Sequence, residues 1–262
     1  VNTAIDLDHL AAQAKSSGAK FLMLSLMRGH IPDMDRITQI CADNGIALIE
    51  DCAHTMGARW QGKRSGNFGL AACFSTQTYK HMNSGEGGLL TTDDPEVAAR
   101  AVVTSGSYML YGAHGARPDD AVFERIKLDA PNCSARLDNL RAALIRSQIP
   151  HLDAQIDRWN ERYRCLEEGL RTIPHLSLPV RAQHEAFVGS SIQFHAHVSD
   201  IPAFLAACAA RGVDIKWFGS DKPNAFTSRY DSWEYLGPQP DLRQTKEALS
   251  TTCDMRVPLT FS

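Results

Sequence analysis

Two short apolar runs, FLMLSLM (21–27) and IALIE (46–50), each preceded by an amphipathic stretch of helical length, constrain this chain more than any other feature. Leu7, Leu10, Ala11 and Ala14 fall on one face of a helix predicted over 7–17 and stopped by Gly18. Met34, Ile37, Ile40 and Cys41 do the same in a second helix, which follows Pro32-Asp33 and ends at Asn44-Gly45. Strands that are apolar on both faces need cover on both, and helical connections allow parallel neighbours. The pattern therefore predicts an α/β fold with a mostly parallel central sheet covered by helices. LAACFS (70–75) and GLLTT (88–92) supply further strands, and Asp94-Pro95 opens a helix to about Gly106.

Beyond that point the pattern loosens. Residues 107–133 read as turn-rich and irregular, and a long amphipathic segment runs from about Leu137 to Thr172 with Pro150 as a kink or break. A second α/β pattern follows: SIQFHAHV, a helix over 201–211 closed by Gly212, the strand VDIKWF, a helix near 241–250, and DMRVPLTF. These boundaries divide the chain into a large domain over 1–150 and a connecting helix with a small domain over 151–262.

Composition excludes several classes. The net charge is −3, and no Lys/Arg face interleaved with aromatics is present, so nucleic acid is not an expected partner. No apolar run approaches the roughly 20 residues that span a bilayer, and VNTAIDLDHL lacks the regions of a signal peptide, so the expected location is cytoplasmic. The 7 cysteines are odd in number and never spaced C-x-x-C, and they read as buried thiols in a reducing compartment. Histidine spacing suggests no metal site beyond His195-Ala-His197, which reads as a strand edge with two solvated rings. No G-x-G-x-x-G follows a strand, which sets aside a dinucleotide-binding dehydrogenase.

In open α/β sheets ligands collect past the carboxyl ends of strands. Asp51 follows the strand 46–50, His54 lies three residues on, Ser75 ends the strand 70–75, and Lys80 sits in the next loop. An amine that can attach an aldehyde, a carboxylate that can hold a ring nitrogen protonated, and a hydroxyl beside loop N–H groups that can bind phosphate form a set suited to pyridoxal phosphate. Singly, each has an ordinary reading: an Asp after a strand is usually a turn or helix cap, and one Ser or Lys in a loop says little.

The ordered set is more specific. IEDCAHTMGARWQGKRSGNFGLAACFSTQTYKHMNSGEGGLLTTDD (49–94) closely resembles the central block of the DegT/DnrJ/EryC1/StrS sugar aminotransferases, within the aspartate aminotransferase-like type I fold of pyridoxal-phosphate enzymes. An E-D-x-A-[QH] strand end, G-x-x-x-G-x-x-G, a strand ending F-S, then Lys and G-[ED]-G-G occur in the family's order. The resemblance implies that Asp51 pairs with the pyridine nitrogen, His54 sits by the ring, Ser75 binds phosphate and Lys80 forms the Schiff base with the cofactor. SARLDNLRAALIRSQIPHLD (134–153) is similar to the family segment N-x-R-[ML]-[SD]-x-L-x-A-A, whose Asn crosses a dimer interface to the partner's cofactor phosphate. Ser134 takes that position here and Asn132 precedes it by two residues, so either is a candidate. Arg136 matches the family arginine.

The resemblance implies a homodimer with shared active sites. It also implies an amino donor, glutamate or glutamine, and ping-pong transfer to a keto-sugar, nucleotide-linked or a related cyclic ketone. It implies further that the N-terminal part of the large domain is not included in this chain. Two alternatives stand beside it: a non-catalytic or regulatory member of the fold, and a sugar dehydratase, a branch that has His where aminotransferases have Lys. GVDIKWFGS, with Lys216-Trp217-Phe218, departs from the family's G-[IV]-x-x-x-H-[YF] loop and points to a different substrate pocket.

Overall fold

Aspartates begin most of the helices. In the computed structural model, which describes residues 4–107, 109–222, 230–233, 235 and 237–260, Asp6 caps α1 (Leu7–Ser17), which stops at Gly18 with φ 64° and is followed by β1 (Phe21–Ser25). Asp33 caps α2 (Met34–Asp43), ahead of β2 (Ala47–Asp51). β3 (Arg59–Trp60) and β4 (Lys63–Arg64) form a hairpin whose turn residues Gln61 and Gly62 both have positive φ, 47° and 83°, as a two-residue hairpin turn of matching twist requires. β5 (Ala71–Ser75) and β6 (Gly88–Thr91) follow, and then α3 (Pro95–Thr104), capped by Asp94 with Pro95 in its first turn. Next come α4 (Asp120–Ile126) and α5 (Asn139–Gln148), which Asp138 caps. Each such cap is worth about 1 kcal/mol, because it satisfies N–H groups that the helix itself cannot.

A 3-10 turn at Ile149–His151, holding Pro150, leads into α6 (Leu152–Arg171). The remaining elements are β7 (Leu176–Ser177), β8 (Glu185–Ala186), β9 (Ser191–Ala196), α7 (Ile201–Ala209), β10 (Lys216–Trp217), α8 (Arg243–Thr251) and β11 (Thr252–Arg256). The expected strand VDIKWF is thus reduced to two paired residues, and of the closing DMRVPLTF, Phe261 lies outside the described residues. By contrast, 107–133 is less irregular than expected. It holds α4, whose Val122, Phe123 and Ile126 pack on Ala99, Val102 and Val103 of α3.

The chain divides into two compact units, Ala4–Gln155 with Ala182–Val188, and Ile156–Arg181 with Gly189–Ser262. In the first, the sheet order is β1-β2-β5-β6, with β1, β2 and β5 parallel and β6 antiparallel to β5. Leu10 and Ala14 of α1 and Met34, Ile37, Ile40 and Cys41 of α2 pack against Leu24, Leu48 and Ala72 of the strands. Burying a side chain such as Ile37 completely is worth about 1.5–3 kcal/mol.

Only one face of the sheet is covered in this way. On the other, Phe21 is 65% and Met23 68% exposed, which corrects the expectation of cover on both faces for the described residues. The apolar pattern of β1 still reflects two faces, but α1 and α2 both lie on the side of Leu24 and Leu48.

β8 adds to the β3–β4 hairpin, giving a small sheet of order β4-β3-β8. Glu185 ties it to the loop after β1, accepting the Ile31 N–H at 3.0 Å and meeting His30 Nδ1 at 2.8 Å. Gly29, at φ 87°, passes so close to Val188 that a Cβ would lie 1.9 Å from its carbonyl oxygen, so no larger residue fits there.

The second unit carries an antiparallel sheet, β10-β11-β9-β7, cored by Phe194, Ala196 and Cys253 against Leu170, Phe204 and Trp217. β9 is an inner strand, so the expected solvated edge position is corrected for His195, which is buried, stacks on His197 and meets Thr251 Oγ1 at 3.1 Å; His197, just past the end of the strand, is exposed. All seven cysteines are unpaired thiols, but only Cys41, Cys52 and Cys253 are buried; Cys73, Cys133 and Cys165 are exposed and Cys208 is half-buried. Among the described residues no helix is long and apolar enough to cross a membrane, and no cluster of His, Cys, Asp or Glu could hold a metal ion.

Candidate active site

The alternation of a strand separates two neighbouring acids. Glu50 points into the covered side and is wholly buried, with its carboxylate taking the N–H groups of Gly66 (2.8 Å), Phe68 (2.7 Å) and Gly69 (2.8 Å). It thereby fixes the turn that leads into β5. Asp51 points to the open side and is half-buried at the carboxyl end of β2. Its Oδ1 accepts the Ala53 N–H at 3.1 Å and its Oδ2 accepts the hydroxyl of Ser25 at 3.0 Å.

Register sets what surrounds Asp51. It lies opposite Ser25 on β1 and Cys73 on β5. Residues opposite one another share a face, and positions two apart on a strand do so as well, so Ser75 is on this face too, at the end of the adjacent strand. Partial desolvation at the sheet surface, and then the charge of Asp51, pushes the Cys73 thiol up. His54 lies half-buried in the turn that leaves β2.

Lys80 stands in the loop that joins β5 to β6, and cross-bonds brace this loop along its length. Ser75 is opposite Gly88; Thr76 donates its N–H to the Gly87 carbonyl at 2.9 Å and Thr78 to that of Gly85 at 2.8 Å; Ser84 donates to Thr76 at 2.9 Å. Lys80 itself donates its N–H to the Gln77 carbonyl at 3.0 Å, which closes a tight turn. The residue before it, Tyr79, has φ 78°, a left-handed conformation that costs a bulky side chain about 1–2 kcal/mol. Gly87, at φ 138°, permits the close return of the chain, where a Cβ would lie 2.9 Å from Thr76 Oγ1. Of the adjacent pair, His81 is buried while Lys80 is half-exposed. Burial, and then the positive charge of Lys80, lowers the His81 pKa to about 4.

Asn132 and Ser134 bond to each other: the Ser134 N–H and hydroxyl both meet Asn132 Oδ1, at 2.9 and 3.3 Å, with both residues exposed. Arg136 donates to the Gly106 carbonyl at 2.6 Å, which anchors this segment to the end of α3. A polar cavity of about 280 Å³ opens beside them, lined by Glu86, Gly87, Gly88, Ala135, Arg136, Leu137 and Arg141.

The donor set suits a cofactor with an aldehyde, a basic ring nitrogen and a phosphate. An ionised carboxylate has about four acceptor positions. Among the described residues Asp51 uses two, so it can still receive a ring N–H. Ser75 Oγ accepts the Gln77 N–H at 3.2 Å and keeps its own proton to donate to a phosphate. Lys80 supplies the amine. The residue that sequence reading missed is Ser25. A serine closing an apolar strand has no periodic signature, and only the pairing of β1 with β2 brings it to Asp51.

Residues 2–253 match the DegT/DnrJ/EryC1/StrS aminotransferase family. The chain is 35% identical over 162 residues to 3-amino-5-hydroxybenzoate synthase of Amycolatopsis mediterranei, which is 62% of this chain and 40% of that protein. It is 30% identical over 178 residues to dTDP-3-amino-3,4,6-trideoxy-alpha-D-glucose transaminase of Streptomyces venezuelae, 66% of this chain and 42% of the relative. The matches thus span about two-fifths of these relatives. Among solved structures, that of 3-amino-5-hydroxybenzoic acid synthase superposes with a TM-score of 0.73 at 26% identity, covering 96% of this chain and 65% of that one.

Proposed function

Because this chain belongs to the DegT/DnrJ/EryC1/StrS aminotransferase family, whose fold is that of type I pyridoxal-phosphate enzymes, we propose that it acts as a pyridoxal-phosphate-dependent aminotransferase. It moves an amino group from glutamate or glutamine to a nucleotide-linked keto-sugar or a related cyclic ketone. The observation that carries this reading is the common placement of Asp51 and Ser75, on one face at the carboxyl ends of adjacent parallel strands, with the braced Lys80 loop continuing from Ser75. The sugar transaminase among the relatives supports the acceptor class.

When bound, pyridoxal phosphate supplies the electron sink that lets a C–H bond beside an amine break. Asp51 would hold the ring nitrogen protonated, His54 would pack beside the ring, and the Ser75 hydroxyl would donate to the phosphate. Lys80 Nζ would hold the cofactor's aldehyde carbon and, as a free amine, would move the proton that leaves the donor's α-carbon. Donor and acceptor would use this one site in turn, so the kinetics would be ping-pong. Burial of His81 beside half-exposed Lys80 favours transamination over the dehydratase reading, since the histidine is not the side chain offered to the site.

The enzyme works in the cytoplasm as a homodimer. Apolar side chains of the segment that holds Asn132 and Ser134 support this assembly: Met109, Leu110, Leu128 and Leu140 are 72–92% exposed. A second copy would bury them, with Asn132 or Ser134 reaching its phosphate site.

The test is the visible spectrum of the purified protein with pyridoxal phosphate, before and after glutamate or glutamine, and after borohydride. A visible band bleached by donor and lost in Lys80→Ala is expected. A protein that stays colourless, or a Lys80→Ala variant that keeps the band, would overturn the reading. A panel of keto-sugar nucleotides, keto-inositols and keto-acids then identifies the acceptor.

A further inference from the structure

We propose that Ser25 is a positioning residue for Asp51, setting both the plane and the charge of the carboxylate that meets the cofactor's ring nitrogen; the inference rests on the pyridoxal-phosphate reading above. Ser25 is the last residue of β1 and is paired in register with Asp51. The strand ends are tied together by the main chain as well, since the Leu26 N–H donates to the Asp51 carbonyl at 3.0 Å. The serine hydroxyl therefore reaches Asp51 Oδ2, at 3.0 Å, from backbone that is itself fixed. Oδ1 is held from the other side by the Ala53 N–H at 3.1 Å. One donor on each oxygen leaves the carboxylate a single orientation, whereas one donor alone would let it rotate about its Cβ–Cγ bond.

The hydroxyl also acts on charge. A donor to a carboxylate favours its ionised form. In a contact between carboxylate and pyridine nitrogen, that keeps the shared proton on the ring side, where it is needed for electron withdrawal. Ionisable groups at this end of the sheet include Cys73, opposite Asp51 on β5, Arg28 in the loop after β1, His54 in the turn after β2, and Lys80, His81 and Glu86 in the loop after β5.

Ser25 is exposed, which separates a functional role from a structural one. Without cofactor, water replaces a lost hydroxyl at little cost. With cofactor seated over Asp51, water is excluded and the loss is felt.

The experiment compares the full chain as wild type, Ser25→Ala and Ser25→Thr. Pyridoxal phosphate is titrated by its visible absorbance, the pH midpoint of that absorbance is measured, and the melting temperature is recorded without cofactor. Ser25→Ala should bind about tenfold more weakly, the loss expected when one hydrogen bond to a charged group goes. Its midpoint should move by about one pH unit. Its cofactor-free melting temperature should not change, and Ser25→Thr, which keeps a hydroxyl, should restore affinity and midpoint. If the wild type binds pyridoxal phosphate and Ser25→Ala matches it in affinity and midpoint, the positioning role alone is refuted. A lower cofactor-free melting temperature in both variants, with equal loss of affinity, refutes it in favour of a structural role. If the wild type itself takes up no cofactor, this inference falls together with the functional reading.

Discussion

Gln148 holds Asn83 at both polar atoms of its main chain: its Oε1 accepts the Asn83 N–H at 2.9 Å, and its Nε2 donates to the Asn83 carbonyl at 2.8 Å. The amide of a residue in α5 thus stands in for a strand partner, three residues from Lys80 in the loop whose cross-bonds end at Ser75 and Gly88. Nε2 also donates to the Leu144 carbonyl at 2.9 Å, so the clamp is fixed at its own base.

Gln148→Ala should therefore loosen the lysine loop more than it destabilises the fold. Both bonds are exposed, so roughly 1–2 kcal/mol of local stability is at stake. Hydrogen exchange should speed up for amides of 76–88 while those of α2 stay protected. Gln148→Glu, which keeps an acceptor for the N–H but sets an oxygen against the carbonyl, should fall between wild type and Ala. Equal exchange in all three proteins would show that the loop does not depend on the clamp.

A second prediction concerns the acid on the covered side of β2. Glu50 is fully buried, and its charge is balanced by three backbone N–H groups from one turn. Glu50→Gln places an NH2 group where a donor already points, so at least one N–H loses its acceptor. A cost of roughly 2–4 kcal/mol is expected, read as a lower denaturant midpoint with an unchanged slope. A variant as stable as wild type would mean that the turn at 66–69 holds itself.

These relationships mark where the sequence stops being legible. The helical faces of Leu7, Leu10, Ala11 and Ala14, and of Met34, Ile37, Ile40 and Cys41, are local in sequence and follow from periodicity alone. So do the ends of β2 and β5, because an apolar run is bounded by its first polar residues. Ser25, Gln148 and Glu185 are a different case: each acts on a partner far along the chain, through a geometry that depends on sheet register or tertiary packing. The pairing of β3 with β8 is equally silent, since two-residue strands have no period to read. α4 could have been found, for Val122, Phe123 and Ile126 have helical spacing, but its seven residues are fewer than a helix pattern needs to stand out.

The last prediction follows from the histidine beside the lysine. His81 is buried, and its pKa lies at about 4 rather than the ordinary 6.5, because burial and then the charge of Lys80 disfavour its protonated form. Between these values the unfolded chain binds a proton that the folded one refuses, so stability is fully present above about pH 6.5 and is lost as pH falls toward 4. The loss over that interval is roughly 3 kcal/mol at most. Because carboxylates titrate at the lower end as well, the quantity to measure is the stability of wild type minus that of His81→Gln, by denaturant unfolding at several pH values. The difference should decline from pH 7 to pH 4, and in a Lys80→Ala background it should decline less, since the lysine charge is one of its two causes. A difference that stays level across this range would mean that His81 is protonated as readily in the folded chain as in the unfolded one.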